Sequence, residues 1–172
     1  MCDNLFTFMY WAIGNGLAAG RWPEPGGELV TGGSPRYQIY RTRDGRYLAA
    51  APLEQKFWDR MCELIGLEPD YRDDGRDAPA TIARVAEIIA GRDAADWAGV
   101  FAGEDCCCSI VADLRAALDD AHFRARGLFD HLLESAHGER IAALPVPVAP
   151  EFRAAPGTPQ RAPALPDDDG AR

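Results

Sequence analysis

Lysine is almost absent from this chain. Lys56 stands alone, and 18 basic residues face 27 acidic ones across 172 positions for a net charge of −9. A phosphate-backbone partner needs clustered Lys and Arg, so the composition speaks against nucleic acid. Cysteine is present without a pattern: Cys2, Cys62, Cys106, Cys107 and Cys108 make an odd number with no Cys-x-x-Cys spacing. That fits neither a disulfide framework nor a zinc site, and it places the chain in a reducing cytoplasm. Histidine is scarce as well. His122, His131 and His137 have no carboxylate or thiolate partner at ligand spacing, so no metal site is expected. No apolar run is long enough to cross a bilayer, and no membrane partner is expected. The opening Met1 to Ile13 carries Asp3 and no basic residue ahead of its apolar stretch, so it does not read as a secretory signal. No internal repeat is evident.

What is there is apolar material for one ordinary domain, 47% hydrophobic against 26% charged. Leu5, Phe8, Met9 and Ile13 recur at helical spacing and predict a packing helix from Asn4 to Ala19. Gly14 to Ala19 has the G-x-G-x-x-A form of a dinucleotide fingerprint, but Arg21 to Gly27 breaks the chain directly after it. No helix is then left to face a pyrophosphate. Arg36 to Arg43 and Arg46 to Ala51 read as strands joined by Asp44-Gly45, a two-residue hairpin signal. Helices are predicted over Leu53 to Ile65, closed by Gly66, over Pro79 to Ala90, and over Ala94 to Ala102 with Asp93 as cap. Cys107 to Val111 reads as a buried strand whose thiols act as small hydrophobes. A catalytic Cys there would lack an adjacent His base. Leu114 to Leu118 and Ala121 to Arg126 are short helices. Leu128 to Glu134 and Glu139 to Leu144 form a second hairpin, and seven prolines from Pro145 to Pro166 impose an extended tail ending in Asp167-Asp168-Asp169.

The stretch from Gly32 to Trp58 packs a loop, a hairpin and a helix start into one unit. Gly32 and Gly33 permit positive φ and close backbone approach, and Pro35 keeps the loop from continuing as helix. Glu54 falls at the mouth of the following helix. One reading of that carboxylate is electrostatic only, since acidic residues are favourable near a helix N-terminus. The other is chemical, and it rests on a likeness.

Gly32-Gly33-Ser34-Pro35-x-Tyr37, then Tyr40-x-Thr42-x-Asp44-Gly45-x-Tyr47, then Leu53-Glu54 and Phe57-Trp58 resemble the family III CoA-transferases. That family includes the carnitine and bile-acid CoA-transferases and the α-methylacyl-CoA racemases. Glu104 to Cys107 with Val111, Ala117 to His122, and Arg126 to Phe129 look like its downstream pattern, so the likeness runs from the first residues to near Leu165.

The resemblance implies an α+β small domain with a hairpin and several helices, flanked by segments of an α/β large domain whose nucleotide-binding-like first half would precede Met1. Residues 1–27 would belong to that large domain, 28–126 to the small domain, and 127–172 to a returning hairpin and tail. It implies an acyl-CoA thioester as substrate with no bound cofactor. The reaction would be CoA transfer through an enzyme-bound acyl intermediate or, alternatively, α-proton exchange. A third reading is a non-catalytic remnant that needs a complementary N-terminal chain. The family's nucleophilic Asp and its proton-exchanging His and Asp would lie upstream, leaving the chain inactive by itself. The expected partner is a homodimer mate or that complementary chain. Within this sequence the resemblance points to Glu54 as a supporting carboxylate beside a His of the other domain, and to Gly32, Gly33 and Ser34 as a lid over the substrate. Arg36, Arg41 and Arg43 are the candidates for CoA phosphates, because the net field of the chain repels them.

Overall fold

In the computed structural model, which describes residues 2–143, 150–152 and 159–162, the apolar opening forms two helices rather than one. They are α1 (Cys2–Phe8) and α2 (Tyr10–Ala19), interrupted at Met9 with φ −87° and ψ 10°. Only Gly16 of the pair is buried, beneath the ring of Trp22, which occupies the space a Cβ would need. The fingerprint-like Gly14 to Ala19 lies in the second half of α2, which ends at Gly20 in the left-handed region. Carbonyl groups, not amides, are therefore what that helix end presents.

The chain divides into two compact units, Met1–Val111 and Ala112–Arg172. The sheet of the first consists of β1 (Gln38–Arg41), β2 (Tyr47–Ala50) and, further along, β3 (Cys108–Ile110), antiparallel in the order β1-β2-β3. Tyr40, Leu48 and Ile110 pair across the three strands on the core side, and Ile39, Ala49 and Ser109 pair on the other. The hairpin tip is longer than the two-residue signal predicts. Thr42 donates N–H to the Arg46 carbonyl and Gly45 to the Thr42 carbonyl, with Gly45 at φ 79°. This is a three-residue loop, in which only the last position requires the left-handed conformation. The thiol strand is also shorter than expected, because Cys107 is exposed at φ 52° and only Cys108 joins the ladder.

Three helices cover the core face: α3 (Gln55–Ile65), α4 (Ala78–Ala90) and α5 (Ala94–Phe101). Each forms because apolar residues recur every three or four positions. Trp58, Met61, Cys62 and Ile65 are the buried stripe of α3, and Thr81, Val85 and Ile89 that of α4. Trp97 and Phe101 stack in α5 with ring centroids 5.8 Å apart. Both core indoles satisfy their N–H groups, Trp58 on the Arg72 carbonyl and Trp97 on the Ile89 carbonyl, each at 2.8 Å. Among the described residues no buried side-chain polar atom lacks a partner.

Caps are arranged differently from expectation at one helix. Asp77 caps α4 by accepting from the Ala80 N–H at 3.0 Å. Asp93, expected to cap α5, makes no such bond, because its carboxylate is taken by Arg43 at 2.8 Å. Asp44 of the hairpin accepts from the Ala94 N–H instead, at 3.2 Å.

The second unit contains α6 (Leu114–Asp119), capped by Asp113, and α7 (Ala121–Ala125), capped by Asp120. It continues with β4 (Leu132–Glu134) and β5 (Arg140–Ala142), antiparallel around a turn that Ser135 organises by accepting from His137 and Glu139. Both arms are shorter than expected. Leu144 and most of the proline-rich tail, including Asp167 to Asp169, lie outside the described residues. The described parts of the tail are not simply extended: Pro150–Phe152 is a 3-10 turn, and β6 (Gln160–Arg161) pairs in parallel with β4.

Candidate functional site

The glycine loop is tied down at both ends. Thr31 and Gly33 both donate to the Glu28 carbonyl, at 3.1 and 2.9 Å. Gly32 sits at φ 120°, and a Cβ on Gly33 would run into the Gly27 carbonyl. No other residue type fits that pair without shifting backbone. Further on the loop dives into the protein, with Ser34 and Pro35 buried. Tyr40 reaches up from the core and donates to the Pro35 carbonyl at 2.8 Å. Burial pushes the Tyr40 phenol well above its ordinary range, so it remains a donor.

Glu54 occupies the N-cap position of α3 with φ −74° and ψ 144°. Its carbonyl accepts from Phe57 and Trp58 at 3.1 and 3.0 Å, but its side chain makes no capping bond and is exposed. Among the described residues its carboxylate has no hydrogen-bond or ion-pair partner. Helix capping therefore does not account for the carboxylate, and its acceptor positions stay open.

Arg36 links these two parts. Its Nε and Nη2 grip both oxygens of Asp74 at 2.9 and 2.6 Å, Nη1 reaches the Leu53 carbonyl at 3.3 Å, and Nη2 reaches Gln55 Oε1 at 2.9 Å. The guanidinium also lies 5.2 Å from the Trp58 ring centroid. A guanidinium with four protein acceptors has little left for a phosphate. Arg43 is engaged too, with Asp93 at 2.8 Å and Asp96 at 4.0 Å, and it holds the Asp93 carboxyl below its ordinary range. Arg41 is exposed at the end of β1, over Gly45, with no ion-pair partner among the described residues. Sequence reasoning missed Asp74. The Asp73-Asp74-Gly75 turn reads as an ordinary surface loop, and no spacing ties it to a position so far upstream.

A groove of about 310 Å³ lies between the loop and the outer face of the sheet, lined by Val30, Gly32, Tyr37, Ile39, Ala49 and Ala51 among others. A larger apolar groove of about 560 Å³ runs between α2 and the Pro23 to Thr31 segment, with Phe8, Met9 and Trp11 on its wall. Cys106 and Cys108 have their thiols pushed up by burial, the opposite of what a nucleophile needs. The His122 ring packs edge-on to Phe123 in α7. No group of three metal-binding side chains occurs among the described residues, and no helix among them is long and apolar enough to cross a membrane.

Comparison with known proteins gives the family and the fold. The family profile for CoA-transferase family III matches residues 1–169. Human α-methylacyl-CoA racemase is 29% identical over 141 residues, which cover 78% of this chain and 37% of that protein. The mouse enzyme of the same name is 31% identical over 114 residues, covering 64% and 30% respectively. Among solved structures, the orthorhombic form of Rv3272 from M. tuberculosis superposes with a TM-score of 0.60 at 18% identity over 92% of this chain and 42% of its own. The chain thus spans about a third of the length of the curated relatives it matches. With a profile matching nearly every residue and a solved fold of the same α+β kind, the chain belongs to CoA-transferase family III.

Proposed function

We propose that this chain supplies the lid loop and one working carboxylate of a site that processes acyl-CoA thioesters, the reaction being CoA transfer between carboxylic acids through an enzyme-bound acyl intermediate. The observation that carries the reading is Glu54: an exposed carboxylate at the mouth of α3, without a partner among the described residues, whose neighbours Leu53 and Gln55 are held by Arg36. Gly32, Gly33 and Ser34 close over the thioester and keep water from an acyl intermediate that would otherwise hydrolyse. Arg41, whose guanidinium has no ion-pair partner among the described residues, meets the CoA phosphates. Glu54 steadies the charged form of a base contributed by the rest of the catalytic assembly.

A second reading, α-proton exchange next to the thioester carbonyl, is favoured by the names of the human and mouse relatives, both α-methylacyl-CoA racemases. In either case residues 1–27 and 127–172 serve a larger domain around a small one at 28–126. The partner is a second copy or a complementary chain, and the compartment is the reducing cytoplasm, in keeping with free thiols throughout. The thioester is substrate, and no cofactor takes part.

The test mixes the purified chain with a polypeptide carrying the remaining two-thirds of a relative, then follows CoA transfer between carboxylates and uptake of solvent deuterium at the α-carbon. Transfer that appears in the mixture and falls on Glu54→Gln supports the reading. Full-rate turnover by the chain alone, or a Glu54→Gln mixture as active as the parent, overturns it. Deuterium uptake without transfer selects the second reaction.

A further inference from the structure

We infer that Arg36 is a positioning residue: it joins the glycine loop and Glu54 into one rigid piece, so that the lid and the carboxylate move together. The function assigned to Glu54 rests on the reading above, whereas the mechanical coupling stands on geometry alone. Arg36 follows directly on the buried Ser34-Pro35 anchor, and its own N–H is fixed by Ser34 Oγ at 3.1 Å. Its side chain then crosses to the helix mouth and takes hold of the residues on either side of Glu54, the Leu53 carbonyl and the Gln55 amide oxygen. Glu54 itself is left untouched. A guanidinium that grips both neighbours and spares the residue between them fixes where that residue's backbone lies without neutralising its charge.

The far side of the link is equally constrained. Arg36 and Asp74 are paired through two parallel hydrogen bonds with side chains only 15% and 17% exposed, unlike the more open ion pairs elsewhere in this unit. Trp58 serves both partners: its ring lies under the guanidinium, and its N–H holds the Arg72 carbonyl just ahead of Asp74. Planar, forked pairing of this kind is available to Arg and not to Lys, whose ammonium is a single point of charge. A merely charged role would survive exchange to Lys, but a positioning role would not.

Hydrogen exchange on the full chain separates these cases. Arg36→Lys and the near-isosteric Asp74→Asn should each accelerate exchange about tenfold or more at two places at once, the Arg36 and Tyr37 amides and the Phe57 and Trp58 amides. The Thr42 amide at the hairpin tip should stay within about twofold, which shows that the fold persists. Acceleration confined to one of the two segments, or full protection retained in both variants, overturns the proposal. In the mixed-chain turnover assay, Arg36→Lys should lower kcat about tenfold with KM within about twofold, and combining it with Glu54→Gln should add almost nothing further. Strict additivity of the two substitutions also overturns it. Should the parent protein show no thioester chemistry in any mixture, the functional reading falls while the paired exchange response still decides the coupling.

Discussion

The first unit contains two helical regions of opposite make-up and opposite fate: α3 carries Gln55, Lys56, Asp59, Arg60 and Glu63 between its apolar residues, and α2 carries no charge at all. In α3 the apolar residues form one stripe, and Trp58 and Met61 are fully buried. In α1 and α2 they lie all round, and Phe8 and Trp11 remain 87% and 76% exposed. A striped helix needs one neighbour and finds it in the sheet beneath. A helix that is apolar on every side needs a surrounding, and among the described residues it finds Trp22 and a groove. The lesson is that hydrophobic content predicts burial only when its spacing matches the number of faces the fold can cover.

The strongest way to break that comparison is to truncate one indole on each side of it. Trp97→Ala removes a buried ring and orphans the Ile89 carbonyl it serves, and should destabilise by about 3–5 kcal/mol in urea unfolding. Trp11→Ala should change the same midpoint by less than about 0.5 kcal/mol. Equal losses at both sites would mean that α2 is packed as tightly as the core. Association is the next measure. The double change Phe8→Ser with Trp11→Ser should lower the weight-average mass in sedimentation at high concentration and cut binding of a hydrophobic dye, with the unfolding midpoint unmoved.

Helix ends sharpen the contrast more gently. Asp77→Ala deletes the acceptor for Ala80 and should lower stability by about 1 kcal/mol. Met9, which precedes α2, provides no side-chain cap, so Met9→Ala should leave stability within about 0.5 kcal/mol of the parent. The smallest effect near neutral pH belongs to Cys62, whose thiol is pushed up to about 12 from an ordinary 9.0 by burial. The unfolded chain loses that proton first, so between those two values the unfolded state binds fewer protons than the folded one and stability falls as pH rises. Below the lower value the contribution is fully present. Denaturant titrations at rising pH should therefore show an alkaline decline that is shallower in Cys62→Ala.

Much of the fold could be read in advance where local chemistry and tertiary packing agree. The stripe of α3, its Gly66 stop and the Asp113 cap of α6 all depend on residues within one or two turns of one another. Failures occurred where a distant group competed. Asp93 looks like a cap by position, but Arg43 captures it and Asp44 takes over. Arg36 looks like a free cation until Asp74 arrives from 38 residues away. The strand at Cys108 was visible, but its place beside β2 was not, because pairing partners leave no mark in spacing. Met9 breaks a run whose periodicity continues straight through it, and no turn residue marks that break. Glu54 and the two glycines were located by their resemblance to a family, and coordinates then added that the carboxylate is free of capping duty.

Asp44 carries a practical consequence for anyone who would cut or graft this protein. One carboxylate closes the tip of the hairpin through Thr42, at 2.5 Å, and receives the first amide of a helix 50 positions further along. The tip is therefore not an interchangeable connector. A shorter turn, a tag inserted there or a circular break at that point would fray the start of α5 and loosen Trp97 behind it, so new termini belong elsewhere on the surface.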